Sequence, residues 1–217
     1  MAVGRIAGAI FDQDGLLFDT EILFQQSWKE AAREFGFEAT DELTLSLCGC
    51  GKQELPGVIA RFVQNIDINA YVERALALAA EKQITSVPVK KTGVDEMLRF
   101  CRERGIKTAV ASSSMRKLVE HNLRFAGLDG YFDEIVTGAD VARGKPHPDI
   151  FLMAAERLGV PPEKCVVFED AFTGIRAAKA AGCIPVLIPD RLKPSAEILQ
   201  ICRCCDTLSA ALDEIAW

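Results

Sequence analysis

Short apolar runs alternate with stretches of helical period along most of the chain. Gly4 to Phe11, Lys107 to Ala111, Glu134 to Thr137, Cys165 to Phe168 and Ile184 to Ile188 read as buried strands, each a short run rich in apolar or β-branched residues. Between them, Val94 to Glu103 carries apolar residues at 94, 97, 98 and 101, the spacing of one helix face. Met115 to Phe125 and Asp149 to Leu158 repeat that pattern, and the Ala-rich stretch Thr173 to Ala181 ends at Gly182, a usual helix stop. Strands and helices alternating over short links predict the α/β class: a doubly wound parallel sheet with helices on both faces.

One region breaks the alternation. From about Thr20 to Ser86 nearly every segment has helical character, with Ile22 to Phe35, Glu54 to Gln64 and Ala70 to Lys82 as the main candidates. Cys48-Gly49-Cys50-Gly51 joins two of the helical stretches as a turn. A helical block between the first strand and the rest of an α/β unit predicts an inserted all-helical domain. Residues 19–88 are expected to form it, and residues 1–18 with 89–217 the α/β domain.

Composition narrows the function. With 217 residues, 49% hydrophobic and 26% charged, there is apolar material for a packed core. A net charge of −6 argues against a broad basic surface and hence against a nucleic-acid partner, while still permitting a locally positive site for a small anion. No apolar run approaches the roughly 18 residues of a membrane span, and the first residues lack the pattern of a secretory signal. The expectation is therefore a cytoplasmic protein, with no membrane partner and its eight cysteines reduced. Their spacing matches no zinc site.

The chemistry gathers at predicted strand ends, where open α/β sheets bind ligands. The first strand delivers Asp12 and Asp14, the second Ser112, and the fourth Glu169 and Asp170, while the loop Gly144-Lys145-Pro146 precedes a helix. Residues two apart on an extended segment share a side, so Asp12 and Asp14 can face one reacting atom. Carboxylates, a hydroxyl and a lysine on one edge suit phosphoryl transfer, which needs a nucleophile, a cation and donors for the phosphoryl oxygens. Taken singly, each feature has a plain structural reading: a solvated turn for the aspartates, a helix cap for Ser112-Ser113-Ser114 or Glu169-Asp170, a loop for Lys145-Pro146. The ordered set is what points to chemistry.

These stretches resemble the haloacid dehalogenase superfamily of hydrolases, nearest to its helical-cap phosphatases and β-phosphoglucomutases. The likeness rests on Phe11-Asp12-Gln13-Asp14-Gly15 with the residues to Glu21, on Ala111-Ser112-Ser113-Ser114, on Gly144-Lys145-Pro146 to Phe151, and on Val167-Phe168-Glu169-Asp170 with the helix to Gly182. The resemblance implies a Rossmann-like core and a Mg²⁺-dependent phosphatase working through an aspartyl-phosphate on Asp12. Asp14 would be the acid and base, with its backbone carbonyl on the cation. Ser112, with Ser113 beside it, and Lys145 would hold the phosphoryl oxygens. Asp12, Asp14, Asp170 and Glu169 would be the metal set. The expected partner is a small phosphorylated metabolite, a sugar phosphate first, and the expected state a monomer or weak homodimer.

Several residues depart from the pattern. Asp14 argues against a dehalogenase, which lacks the second aspartate. The mutases usually carry a histidine where this chain has Phe24, and an arginine in the cap loop where Lys52 is the nearby cation, which weakens a sugar-phosphate mutase as the alternative. Gly51 and Lys52 are the candidate specificity residues of the helical domain, and Leu16 to Thr20 and Ser86 to Lys91 its candidate hinges. Gln13 replaces an apolar residue between the aspartates and, if buried, requires hydrogen-bond partners. His121 and His147 fall in a helical stretch and a loop and are not read as catalytic.

Overall fold

Every residue of Gly8–Phe11 is buried, which an isolated strand cannot achieve, and this segment (β1) is flanked on both edges and covered on both faces. The coordinates, a computed structural model, describe residues 6–48, 50, 51, 53–191, 193–215 and 217. The remaining strands are β2 (Lys107–Ser112), β3 (Glu134–Thr137), β4 (Cys165–Glu169), β5 (Ile184–Leu187) and β6 (Arg203–Cys204). They form one six-stranded sheet in the order β3-β2-β1-β4-β5-β6, with every paired neighbour parallel. The chain runs outward from β1 through β2 to β3, then returns to the other edge of β1 as β4. β1 is therefore the topological switch point, where such sheets open a crevice at their carboxyl ends.

The chain divides into two compact units, Met1–Asp19 with Pro88–Trp217, and Thr20–Val87. The second holds the helices α1 (Glu21–Glu34), α2 (Asp41–Ser46), α3 (Leu55–Ile59) and α4 (Ile68–Thr85). Its core is built around Tyr71, whose ring lies 5.2–5.7 Å from those of Trp28, Phe35 and Phe37 and whose hydroxyl donates to the Trp28 carbonyl at 3.0 Å. Leu43, Leu55, Ile59 and Leu78 close it. The expected helix Glu54 to Gln64 stops at Ile59, and the chain then turns through Asn65, at φ 65°, to the Asp67 cap of α4.

The first unit adds α5 (Val94–Arg104), α6 (Arg116–Phe125), α7 (Asp149–Leu158), α8 (Phe172–Ala180), α9 (Ala196–Leu199) and α10 (Leu208–Glu214). One sheet face, through Ala9, Phe11, Val110 and Phe168, packs on Met97, Val119, Leu123 and Leu208. The other, through Ile10, Ala111 and Val167, packs on Phe151, Ala154, Ala177 and Ala178. Both layers follow from the period-two alternation of the strands. Among the described residues, no helix is long and apolar enough to cross a membrane.

Candidate active site

The site grows from the end of β1. The Asp12 N–H donates to the Phe168 carbonyl at 3.0 Å and so extends the β1–β4 ladder by one rung. The chain then turns back: the Leu17 and Phe18 amides reach the Gln13 carbonyl at 3.0 and 3.1 Å, and the Gly15 amide reaches the Phe18 carbonyl at 2.9 Å. Gly15 sits at φ 87°, and a Cβ there would overlap the Asp170 carboxylate. Two demands, a left-handed conformation and contact with a carboxylate, thus converge on the glycine after the aspartate pair.

Lys145 is the centre of charge. Its ammonium donates to Asp12 Oδ1 at 2.5 Å, to Glu169 Oε1 at 2.5 Å and to the Ala111 carbonyl at 3.0 Å, using all three protons. The side chains of Lys145, Asp12 and Glu169 are only 8%, 9% and 1% exposed, so these pairs are little screened by solvent. Burial opposes the charge on Lys145, yet the Asp12 and Glu169 carboxylates outweigh it and raise the proton affinity of the ammonium. Glu169 spends its second oxygen on the Ala171 N–H, at 3.1 Å. A Cβ at Gly174 would overlap its carboxylate, which explains a glycine in the first turn of α8.

Asp12, Glu169 and Asp170 can each offer an oxygen with all three atoms within 4.8 Å of one another. Burial pushes the Asp12 carboxyl up to about 7; Lys145 opposes this, and Glu169 and Asp14 add to it. Burial, then Glu169 and Asp12, likewise raise Asp170. Three clustered carboxylates with one ammonium leave an excess of negative charge that a divalent cation would neutralise, so the donor set fits a hard, oxygen-liganded ion. With both Glu169 oxygens already engaged, Asp12 and Asp170 are the freer ligands.

Asp14 faces the β2 end instead. Its Oδ2 accepts from Ser114 Oγ at 2.7 Å and lies 3.5 Å from Ser112 Oγ. Ser112, fully buried, accepts the Ser114 N–H at 3.0 Å. Ser113 is exposed on the same turn. The structure therefore brings together Asp12, Asp14, Ser112, Lys145, Glu169 and Asp170. Ser114 joins them unforeseen, although the same period-two reading that paired Asp12 with Asp14 also pairs Ser112 with Ser114. Gly51, in the helical unit, is exposed and donates its N–H to Glu54 at 2.8 Å. Lys52 lies outside the described residues. His147 is exposed, and His121 stacks on Phe125 at 4.3 Å.

Residues 9–188 match the profile of the haloacid dehalogenase-like hydrolases. The chain is 35% identical to a phosphorylated carbohydrates phosphatase of Thermotoga maritima, over 80% of each chain. It is 34% identical to a fructose-1-phosphate phosphatase of Escherichia coli, over 82% of this chain and 94% of the relative. Among solved structures it resembles a β-phosphoglucomutase from Clostridium difficile, with a TM-score of 0.70 and 25% identity over 94% of this chain and 92% of the other.

Proposed function

Since the chain belongs to the haloacid dehalogenase-like hydrolases, we propose that it is a Mg²⁺-dependent phosphatase that hydrolyses small sugar phosphates through an aspartyl-phosphate on Asp12. The observation that carries this reading is the cluster at the β1 edge, where Lys145 bridges Asp12 and Glu169 at 2.5 Å beside Asp170. Relatives named as carbohydrate and fructose-1-phosphate phosphatases support the substrate class.

In the first step an Asp12 oxygen forms a bond to phosphorus while the bond to the ester oxygen breaks. The leaving oxygen keeps that electron pair and takes a proton from the Asp14 carboxyl. In the second step water gives a proton to the Asp14 carboxylate and its oxygen bonds to phosphorus, releasing Asp12 and inorganic phosphate. Ser112 and Lys145 donate to the phosphoryl oxygens, Lys145 with the proton that bonds Asp12 Oδ1 before substrate binds, and Glu169 fixes Lys145. Asp12, Asp170 and the Asp14 backbone carbonyl would hold Mg²⁺, whose charge offsets the negative charge of the phosphoryl group. The helical unit, Thr20–Val87, is read as the cap in which substrate choice resides.

The likeness to a β-phosphoglucomutase favours a second reading, a sugar-phosphate mutase. Against it stands Phe24, half-buried in the apolar core of the helical unit where those mutases usually carry histidine. Phosphate release from a panel of hexose and hexitol phosphates with Mg²⁺ tests the proposal. Turnover is expected for at least one ester, with Asp12→Asn and EDTA each reducing it to background. Activity undiminished in EDTA would sink the metal-dependent mechanism. Conversion of β-glucose 1-phosphate, with a trace of bisphosphate, to glucose 6-phosphate in place of free phosphate would establish the mutase.

A further inference from the structure

We propose that Ser114 is a positioning residue that holds Asp14 for proton transfer; the inference rests on the acid–base reading of Asp14 given above. The two Asp14 oxygens have different surroundings. Oδ2 accepts the Ser114 hydroxyl at 2.7 Å, whereas Oδ1 is buried with no hydrogen-bond partner among the described residues. One oxygen is tethered and the other is left to carry the proton that moves. A serine hydroxyl suits such a tether because it donates to one oxygen and leaves the other unengaged. It donates to Oδ2 when Asp14 is a carboxylate and equally when Oδ1 carries the proton, since Oδ2 is then a carbonyl oxygen that still accepts, so the side chain keeps its place through both steps.

The tether is anchored from below. Ser114 also donates its own N–H to Ser112 Oγ at 3.0 Å, and Ser112 is fully buried at the end of β2. That bond occupies a lone pair of the Ser112 hydroxyl, whose own proton makes only a long bond to Asp14 Oδ2 that a phosphoryl oxygen would replace. The Ser112 hydroxyl is 3.5 Å from Asp14, at the limit of a hydrogen bond, so Ser114 is the nearer partner. A single turn after β2 thus couples the hydroxyl that receives phosphate to the carboxyl that moves the proton. Ser113, exposed between them, takes no part in the tether.

The leaving group tests this. A hexose phosphate needs a proton on its departing oxygen, whereas 4-nitrophenyl phosphate expels a stable nitrophenolate without one. For Ser114→Ala, single-turnover cleavage of a hexose phosphate hydrolysed by the wild type is expected to slow about ten- to a hundredfold, the range for losing a hydrogen bond to a charged group. KM should stay within about twofold, and the burst of nitrophenolate within about threefold. Ser114→Thr keeps the hydroxyl and should restore most of the lost rate. Equal loss on both esters, no loss on either, or a change confined to KM would overturn the assignment, the last by making Ser114 a substrate ligand. A wild-type enzyme that releases phosphate from neither ester would instead overturn the phosphatase reading, and the tether with it.

Discussion

At the residue scale, Gln13 separates what the sequence states from what only the fold reveals. The flanking aspartates were legible because side chains two apart on a strand share a side, and both reach the site. Gln13 takes the opposite side and is fully buried, beyond β1 residues Ala9 and Phe11 that enter the apolar layer with α5 and α6. Neither its amide oxygen nor its amide nitrogen has a hydrogen-bond partner among the described residues. A buried amide without partners costs roughly 1–3 kcal/mol, and methionine fills a similar volume without polar atoms to satisfy. Gln13→Met is accordingly expected to raise the thermal midpoint by a few degrees, measured by calorimetry, with phosphatase activity kept within about twofold. A lower midpoint would mean that ordered water satisfies the amide and that the methionine displaces it. Ser114 was hidden for a different reason. The period-two pattern puts it on the side of Ser112, but its bond to Asp14 depends on a turn after the strand that a run of three serines does not specify.

At the element scale, strands and helices were legible where an apolar run had neighbours to repeat against. The five expected strands are present, Gly4 and Arg5 of the first lying outside the described residues, and the helices at Val94, Asp149 and Phe172 begin within a residue of the reading. β6 and α9 were not read, because two and four residues are too short to show a period, and α10, at seven, shows it weakly. A polar device joins the elements on the far side of β2. Asp140 accepts from the Thr137 N–H at 2.7 Å and Oγ1 at 2.8 Å, forming a capping box at the end of β3. It also accepts from Arg116 at the start of α6 and Arg157 in α7, each at 3.0 Å. The Thr137 backbone bond, together with the hydroxyl and the two arginines, holds this carboxyl well below the usual carboxylate range. A depressed folded-state pKa contributes stability that is present above the unfolded value, about 4, and is lost as pH falls below it. Asp140→Asn should therefore cost about 1–3 kcal/mol in urea unfolding at pH 7, with the gap to wild type narrowing below about pH 4. A gap that is the same at pH 3 as at pH 7 would show that the charge contributes nothing.

At the scale of the whole molecule, the site is a concentration of like charge that the fold enforces. Asp12 directly follows β1, Glu169 closes β4 with Asp170 directly after it, and the parallel pairing Phe11 to Phe168 sets these ends side by side. Nothing local in either segment predicts that adjacency; it comes from the return of the chain to the open edge of β1. Lys145 supplies one positive charge against three carboxylates, and burial keeps the repulsion from being screened. The price is folding stability, which sites built for catalysis commonly give up. A cation that binds only the folded chain returns it in proportion to RT ln(1 + [L]/Kd). Millimolar Mg²⁺ is thus expected to raise the thermal midpoint by several degrees over the same protein in EDTA. Asp170→Asn, with one carboxylate fewer, should melt higher than wild type in EDTA and lose most of the response to Mg²⁺. Both halves are needed, since a variant that simply weakened the fold would melt lower in EDTA, and one that left the cation's ligands intact would still respond to it.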